Sequence, residues 1–520
     1  MTSTVQKGDA SRAAVRHLGG QTIVVMGGTL FTFIVGLPFQ IYLARQLGTE
    51  GLGVVGIAEA LVQTAAGFLA FGLAPLAMRY IPEYRVAGAS RAIRQLVGGG
   101  LLVLVTMGVL GASLLTPVAS LAPDVIGLSK DVQSTLSVLA LLLPITMVSF
   151  FLAQSLRGFQ EIRVVVLSTS ILTLSAKVVI TVGLFLTFGV STLAYAWAIV
   201  FSQVIAILPL GWAVWRLLRA LPSEEVPKAI NFRAWGSFAG TNYASGILSS
   251  VIGNLDRIII GALLGPASVG VLMVVRQLQQ FPTVFHQIVL TVVSPVFARL
   301  KAAEDQAGLA HQLHLANDWI FRLAAGLILM LAVLAEYVLG LYGPEFASEG
   351  SGLMIVMTLA VAVNLGTGPV GIMLNMTGHH VALLRISIVT AFATFIGYFI
   401  LIPLFGLVGA GLAVLASNIA NKSLAIWLVK KRLGIDWYDS RFRAWILPLL
   451  AAVIVLLAMR PVMDRLEGVM MEGVVLAVIG ALTYVVYFGV NFIAGLHDDD
   501  YELLQSLRTR IPWLKQKESS

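Results

Sequence analysis

The chain contains no cysteine, so disulfides, thiolate metal ligation and thiol nucleophiles are excluded. Charge is scarce as well. Only 12% of the 520 residues are Asp, Glu, Lys or Arg, against 58% hydrophobic, whereas a soluble globular chain carries about 25% charged residues. With a mean hydropathy of +0.91, the solvent for most of this sequence is lipid. No G-x-x-x-x-G-K-[ST] segment occurs, which removes ATP hydrolysis by a phosphate-binding loop. The outer connections are short and hold only scattered acids, such as Asp124, Glu345 and Glu349. A membrane glycosyltransferase or polymerase, which needs clustered catalytic acids or a sizeable outer loop to hold substrate, therefore fits poorly.

Apolar runs, by contrast, recur along the whole chain. Fourteen are legible, beginning with Gln21–Leu43 and Gly53–Leu76, continuing through Thr135–Gln154, and ending with Ala444–Met459 and Val474–Ile493. A crossing needs about 20 residues. The thirteenth run is short, but Arg443 and Arg460 at its ends can snorkel. The first has no small-residue cleavage site behind it and is read as a retained span.

The cations check this map, because Lys and Arg favour cytoplasmic connections. With the N-terminus inside, the inner connections collect clusters such as Arg79, Arg85, Arg91 and Arg94, or Lys430, Lys431 and Arg432. The outer connections hold only Arg45, Lys130, Arg460 and Arg465. The net charge of +8 is thus a membrane-orienting bias, and nucleic acid is not an expected partner. Trp212, Trp215, Trp427, Trp437 and Trp445 fall at inner span ends, where interfacial aromatics belong. In the tail, Leu503, Leu504, Leu507, Ile511 and Leu514 are spaced as an amphipathic helix on the inner leaflet. Its run Asp498–Asp500 suits a helix N-terminus, and no metal or other cofactor is expected.

The chain also repeats itself. "LGTEGLG" at 47–53 and "LGPASVG" at 264–270 lie 217 residues apart, as do "FGVSTLAYA" at 188–196 and "FGLVGAGLA" at 405–413. Two motifs at one offset point to a duplicated six-helix unit. Six is even, so both copies cross in the same sense, as in parallel-repeat transporters.

The segments "YLARQLGTEGLGVVGIAEAL" and "LDRIIIGALLGPASVGVLMVV", the "FGLVGAGLA" turn and the fourteen-span plan resemble the polysaccharide-export flippases. These belong to the multidrug/oligosaccharidyl-lipid/polysaccharide exporter superfamily. The resemblance implies an all-α polytopic membrane protein with two pseudo-symmetric six-helix lobes around a cavity and two further C-terminal helices. The corresponding boundaries are an N-terminus at 1–20, an N-lobe at 21–217, a linker at 218–234, a C-lobe at 235–432, the last two spans at 433–496 and a tail at 497–520. It implies no covalent chemistry. The cargo is a saccharide on a polyprenyl pyrophosphate, moved from the cytoplasmic to the outer leaflet of the cell membrane. Membrane lipids and a polysaccharide polymerase or other assembly proteins are the expected partners. Two related activities stay open: a lipid-linked peptidoglycan-precursor flippase, and a multidrug or cation antiporter.

Five cations lie inside spans: Lys177, Arg257, Arg276, Arg322 and Lys422. The acids are Glu59 and Asp256, with Asp318 and Glu336 near span ends. A charge at bilayer depth costs about 2.5–3.5 kcal/mol on insertion scales, so such residues usually face a polar interior. Arg257 lies roughly 12 Å below the turn at Gly265, at about 1.5 Å per residue. Lys177, Arg257, Arg276 and Lys422 are the candidate substrate-binding cations, since Arg and Lys both serve pyrophosphate. Glu59, Asp256 and Arg276 are the gate or coupling candidates. Asp256 and Arg257 are helix neighbours and cannot face each other, so Asp256 is expected to turn toward Arg276. Glu59 displaced by 217 falls on Arg276, which suggests that the two meet across the cavity; the alternative is that each is satisfied within its own lobe. Arg322, near Asn317 and Asp318, is expected to be an interfacial anchor, and Lys422 either lines a vestibule with Asn418 or snorkels inward.

Overall fold

A computed structural model describes residues 2–121, 129–222, 232–466 and 468–493. Every regular element among them is helical, as lipid demands of a backbone that must satisfy its own hydrogen bonds. Among the described residues eleven helices are long and apolar enough to cross a membrane, or twelve if one bent pair is a single span. That pair, Lys130–Leu139 with Leu142–Gly158, bends by 43° inside the run expected to be one straight crossing. The tail helix expected at 503–514 and most of the linker lie outside the described residues.

Two of the eleven are far longer than one crossing, Val24–Leu69 with 46 residues and His380–Leu433 with 54. Each is two helices joined at a glycine. Gly48 has φ 68° and ψ −176°, and Gly406 has φ 57° and ψ −139°. Positive φ is the region glycine enters without a Cβ penalty. The repeat is visible in the same backbone property: Gly265, the mate of Gly48, has φ 88°, and Gly189, the mate of Gly406, has φ 83°.

The chain divides into two compact units, Met1–Gly270 and Val271–Ser520. The first contains α1 (Thr2–Leu69), α2 (Leu73–Ala87), α3 (Ser90–Leu121), α4 (Lys130–Leu139), α5 (Leu142–Gly158), α6 (Ile162–Val166), α7 (Thr173–Phe188), α8 (Thr192–Arg219) and α9 (Phe232–Leu264). Its core gathers Ala77, Ile81, Val97, Phe151, Leu156 and Leu210. Helix α9 runs along the second half of α1 and onto α2, and small residues let the backbones approach. A methyl on Gly67 would sit 2.2 Å from the Ser250 hydroxyl, and one on Gly72 would sit 2.3 Å from the Ala239 carbonyl oxygen. Near the start of α9, Trp235 donates its indole N–H to the Tyr84 hydroxyl at 2.6 Å.

The turns at 48–53 and 265–270 meet backbone to backbone. A methyl on Gly53 would lie 1.6 Å from the Pro266 carbonyl oxygen, and one on Gly270 would lie 2.0 Å from the Thr49 carbonyl oxygen.

The second unit continues along α10 (Pro266–Ala302). It adds α11 (Gln306–Val333), α12 (Ala335–Gly340), α13 (Pro344–Gly366), α14 (Val370–Met376), α15 (His380–Leu433), α16 (Ile446–Met463) and α17 (Val469–Ile493). Phe297, Leu313, Ile320, Met373 and Val429 centre its core. The last two helices are tied to α11 by buried polar contacts. Arg322 Nε lies 2.9 Å from Asp318 Oδ1, with both side chains buried. Trp445 donates to the same oxygen at 2.7 Å and stacks on Phe321 at 4.2 Å. Tyr484 donates to the Leu323 carbonyl at 2.8 Å. Arg322 is therefore a buried ion-pair partner rather than an interfacial anchor, because Asp318 one turn earlier shares its face. Trp445 is likewise interior, whereas Trp212 and Trp215 stay exposed beneath Arg216 and Arg219.

Candidate functional site

Three intramembrane charges converge in the first unit. Glu59, on the second half of α1, has Lys177 of α7 and Arg257 of α9 as its electrostatic neighbours. Within this trio the cations outnumber the carboxylate by one. The Lys177 ammonium also lies 5.9 Å from the centre of the Phe39 ring, a cation–π distance. Lys177 and Arg257 belong to the same unit as Glu59.

A local irregularity precedes Lys177. Residues Leu167–Leu172, between α6 and α7, form a π-helical turn, an element that recurs at functional positions. Thr173 donates its hydroxyl five residues back to the Ser168 carbonyl at 2.8 Å. Thr181 donates to the Lys177 carbonyl at 2.6 Å. Helix α1 presses against this segment at Gly28, where a methyl would lie 2.4 Å from Val166.

Beside Glu59 lies a cavity of about 510 Å³. Glu59 is the charged group on its wall; Lys177 and Arg257 are not among the lining residues. The remaining polar lining is neutral: Gln63, Gln203 and Asn242 supply amides, and Thr146, Ser249 and Ser250 supply hydroxyls. Phe150, Met147 and Tyr243 add apolar faces. The neutral polar groups did not stand out in the sequence. Their signal was spacing: Gln63 follows Glu59 by one turn, and Ser249 follows Asn242 by two, so each pair shares a helix face.

The other candidates lie elsewhere. Asp256 is buried on α9 beside Arg257. Arg276 on α10 and Lys422 on α15 are half-buried in the second unit. Lys422 has His286 as an electrostatic neighbour. One turn before Lys422, Asn418 donates to the Ala360 carbonyl at 3.4 Å; Asn421 donates to the Thr390 hydroxyl at 2.9 Å. Among the described residues no group of His, Asp and Glu has the arrangement to hold a metal ion.

The family model described as "Polysaccharide biosynthesis protein" matches residues 18–301, more than half of the chain. The chain belongs to this polysaccharide biosynthesis family. The match takes in α1, α7 and α9, so the whole of the Glu59–Lys177–Arg257 cluster lies inside it. No curated protein sequence matches the chain. Solved structures share its fold at low identity. The lipid II flippase MurJ in an inward closed conformation is 14% identical with a TM-score of 0.68, over 90% of this chain and 98% of that one. An inward-facing multidrug resistance MATE family transporter of the MOP superfamily is 14% identical with a TM-score of 0.65, over 79% and 98%. A MOP superfamily transporter from Pyrococcus furiosus is 14% identical with a TM-score of 0.57, over 80% and 95%. This member of the polysaccharide biosynthesis family is therefore a multi-pass membrane protein with the MOP transporter fold.

Proposed function

We propose that the chain translocates a saccharide carried on a polyprenyl pyrophosphate from the inner to the outer leaflet of the cell membrane, by alternating access. The observation that carries this reading is that Lys177 and Arg257 are both electrostatic neighbours of Glu59. A surplus cation held between membrane-spanning helices suits a diphosphate, which Arg grips through a fork of donors and Lys as a point charge. Arg276 and Lys422 keep the same assignment in the second unit. The family match supplies the saccharide context.

The path has fourteen crossings in this reading. The helices broken at Gly48 and Gly406 each count twice and the bent pair counts once. Both termini are then cytoplasmic, the two repeats form six-helix lobes, and a polymerase receives the cargo outside. A flip assay in reconstituted vesicles with a defined lipid-linked oligosaccharide tests the proposal. Protein-dependent transfer that falls at least tenfold in Lys177→Ala and Arg257→Ala supports it. Flipping that ignores both substitutions counts against it.

Two related readings each have an observation behind them. The likeness to the lipid II flippase spans 90% of the chain, which favours a peptidoglycan precursor as cargo. The carboxylate on the cavity wall favours a cationic substrate, as for an antiporter. The same vesicles loaded with lipid II, or with a fluorescent organic cation, separate the three.

A further inference from the structure

We infer that the cavity of the first unit is a saccharide subsite, taking neutral pyranose rings of the cargo while Lys177 and Arg257 meet the pyrophosphate outside it. This rests on the translocation reading above and adds to it where the sugar sits.

The chemistry of the wall carries the argument. Amides and hydroxyls each offer both a donor and an acceptor, and so does every sugar hydroxyl. Gln63, Gln203, Asn242, Thr146, Ser249 and Ser250 present that pairing from α1, α5, α8 and α9. Some of their protons are already committed. Asn242 Nδ2 donates to the Phe238 carbonyl at 2.8 Å, and the Thr146 hydroxyl donates to the Leu142 carbonyl at 2.7 Å. Their oxygens are left as fixed acceptors. Tyr243 is immobilised too, with its hydroxyl on the Phe68 carbonyl at 2.7 Å and its ring stacked on Phe71 at 5.3 Å. A held aromatic face suits the C–H side of a pyranose, and preorganised walls lower the cost of binding. The volume of about 510 Å³ falls within the range of small-molecule sites, about 300–1,000 Å³.

Charge excludes the two rival occupants. A pyrophosphate in this cavity would face the Glu59 carboxylate, with neither Lys177 nor Arg257 on the wall. An organic cation would find that carboxylate already facing two cations of the protein. A hydroxyl-rich neutral group suffers neither penalty, and Glu59 can accept from it.

The absence of native cysteine makes Ser249→Cys a unique thiol on the cavity wall, read by its rate of maleimide labelling in proteoliposomes. Three probes are compared: undecaprenyl pyrophosphate, the lipid-linked oligosaccharide extracted from host membranes, and tetraphenylphosphonium. Both lipids should raise the thermal midpoint, but only the oligosaccharide lipid should protect the introduced thiol. Gln203→Met and Asn242→Leu should each weaken that protection about tenfold, the loss expected for one hydrogen bond of about 1.4 kcal/mol, while leaving the shift with undecaprenyl pyrophosphate unchanged. The two variants lie on different helices, so either reads the effect if the other is not inserted. Equal protection by the sugar-free lipid, or wild-type protection in both variants, overturns the subsite and leaves the translocation reading standing. Protection by tetraphenylphosphonium alone, or a response to neither lipid, overturns both.

Discussion

Gly53 and Gly270 fill each other's missing side chains. A methyl on the first would sit 3.0 Å from the backbone nitrogen of the second, and a methyl on the second would sit 3.1 Å from that of the first. The carbonyl oxygens they approach, those of Pro266 and Thr49, are themselves 217 residues apart, as are the glycines. The contact is thus reciprocal: each repeat offers the same turn, and the two turns close on a local two-fold relation.

Backbone atoms cannot swing aside, so Gly53→Ala and Gly270→Ala should each force the turns apart. Overpacking of this kind costs about 1–3 kcal/mol. The expected result is a lowered melting midpoint in detergent and at least a tenfold loss of flipping. The control is Gly98→Ala, where nothing lies within 4 Å of the new methyl; it should be neutral or mildly stabilising in its helix.

The three glycines at 98–100 make a second, graded comparison. A methyl at Gly99 also meets nothing within 4 Å, whereas at Gly100 it would lie 2.5 Å from the Phe151 ring. Gly99→Ala should melt with the wild type and Gly100→Ala several degrees below it. Equal midpoints for the two would mean that α3 and α5 do not pack as described.

Breaking the pair of Arg322 and Asp318 should cost more than replacing it. Arg322→Met strands a carboxylate whose side chain is 1% exposed, and loss of one partner of a buried pair costs about 3–5 kcal/mol. Because Trp445 donates to the same carboxylate, the last two helices should loosen with it. Limited proteolysis between Leu433 and Ser440 reads this directly. The double variant Asp318→Leu/Arg322→Met should recover much of the midpoint.

Glu59→Gln removes the carboxylate that neighbours Lys177 and Arg257, and should lower both stability and transport. Lys177→Met should lower transport more than stability, since Arg257 remains opposite Glu59. Thermal midpoints and flipping rates, measured on the same preparations, separate the two effects.

Single cysteines test the crossings. Labels at Glu50 and Glu345 should react with an impermeant maleimide from outside, and labels at Arg91 and Arg385 only after the membrane is opened; all four positions are exposed. Reaction of Arg91→Cys from outside would refute the assigned orientation.

The apolar runs and the 217-residue repeat were legible because each depends on local composition or on a turn that only glycine makes cheaply. Glu59, Lys177 and Arg257 were legible in the same way, as charges set inside apolar runs. What escaped is set by tertiary packing. Nothing local separates Leu139 from Leu142, where one expected span bends, or marks Phe71 and Gly72, where φ turns positive and α1 gives way to α2. The tie from Trp445 to Asp318 joins residues 127 apart and turned an expected surface arginine into an interior one. The cavity was hidden for a similar reason: its amides come from three helices and mean little one at a time.

The π-turn at Leu167–Leu172 has a consequence for the angular phase of its helix. Such a turn holds one residue more than a regular α-turn, and each residue advances the helix by about 100°. Everything after it, Lys177 included, is rotated by that increment relative to an uninterrupted α-helix entering at Ile162. Deleting one residue from this turn would restore a regular helix and swing the ammonium about a quarter of the way around the barrel of α7, away from Glu59 and toward a different neighbour. The charge balance around Glu59 thus depends on the residue count of a segment that carries no charge itself.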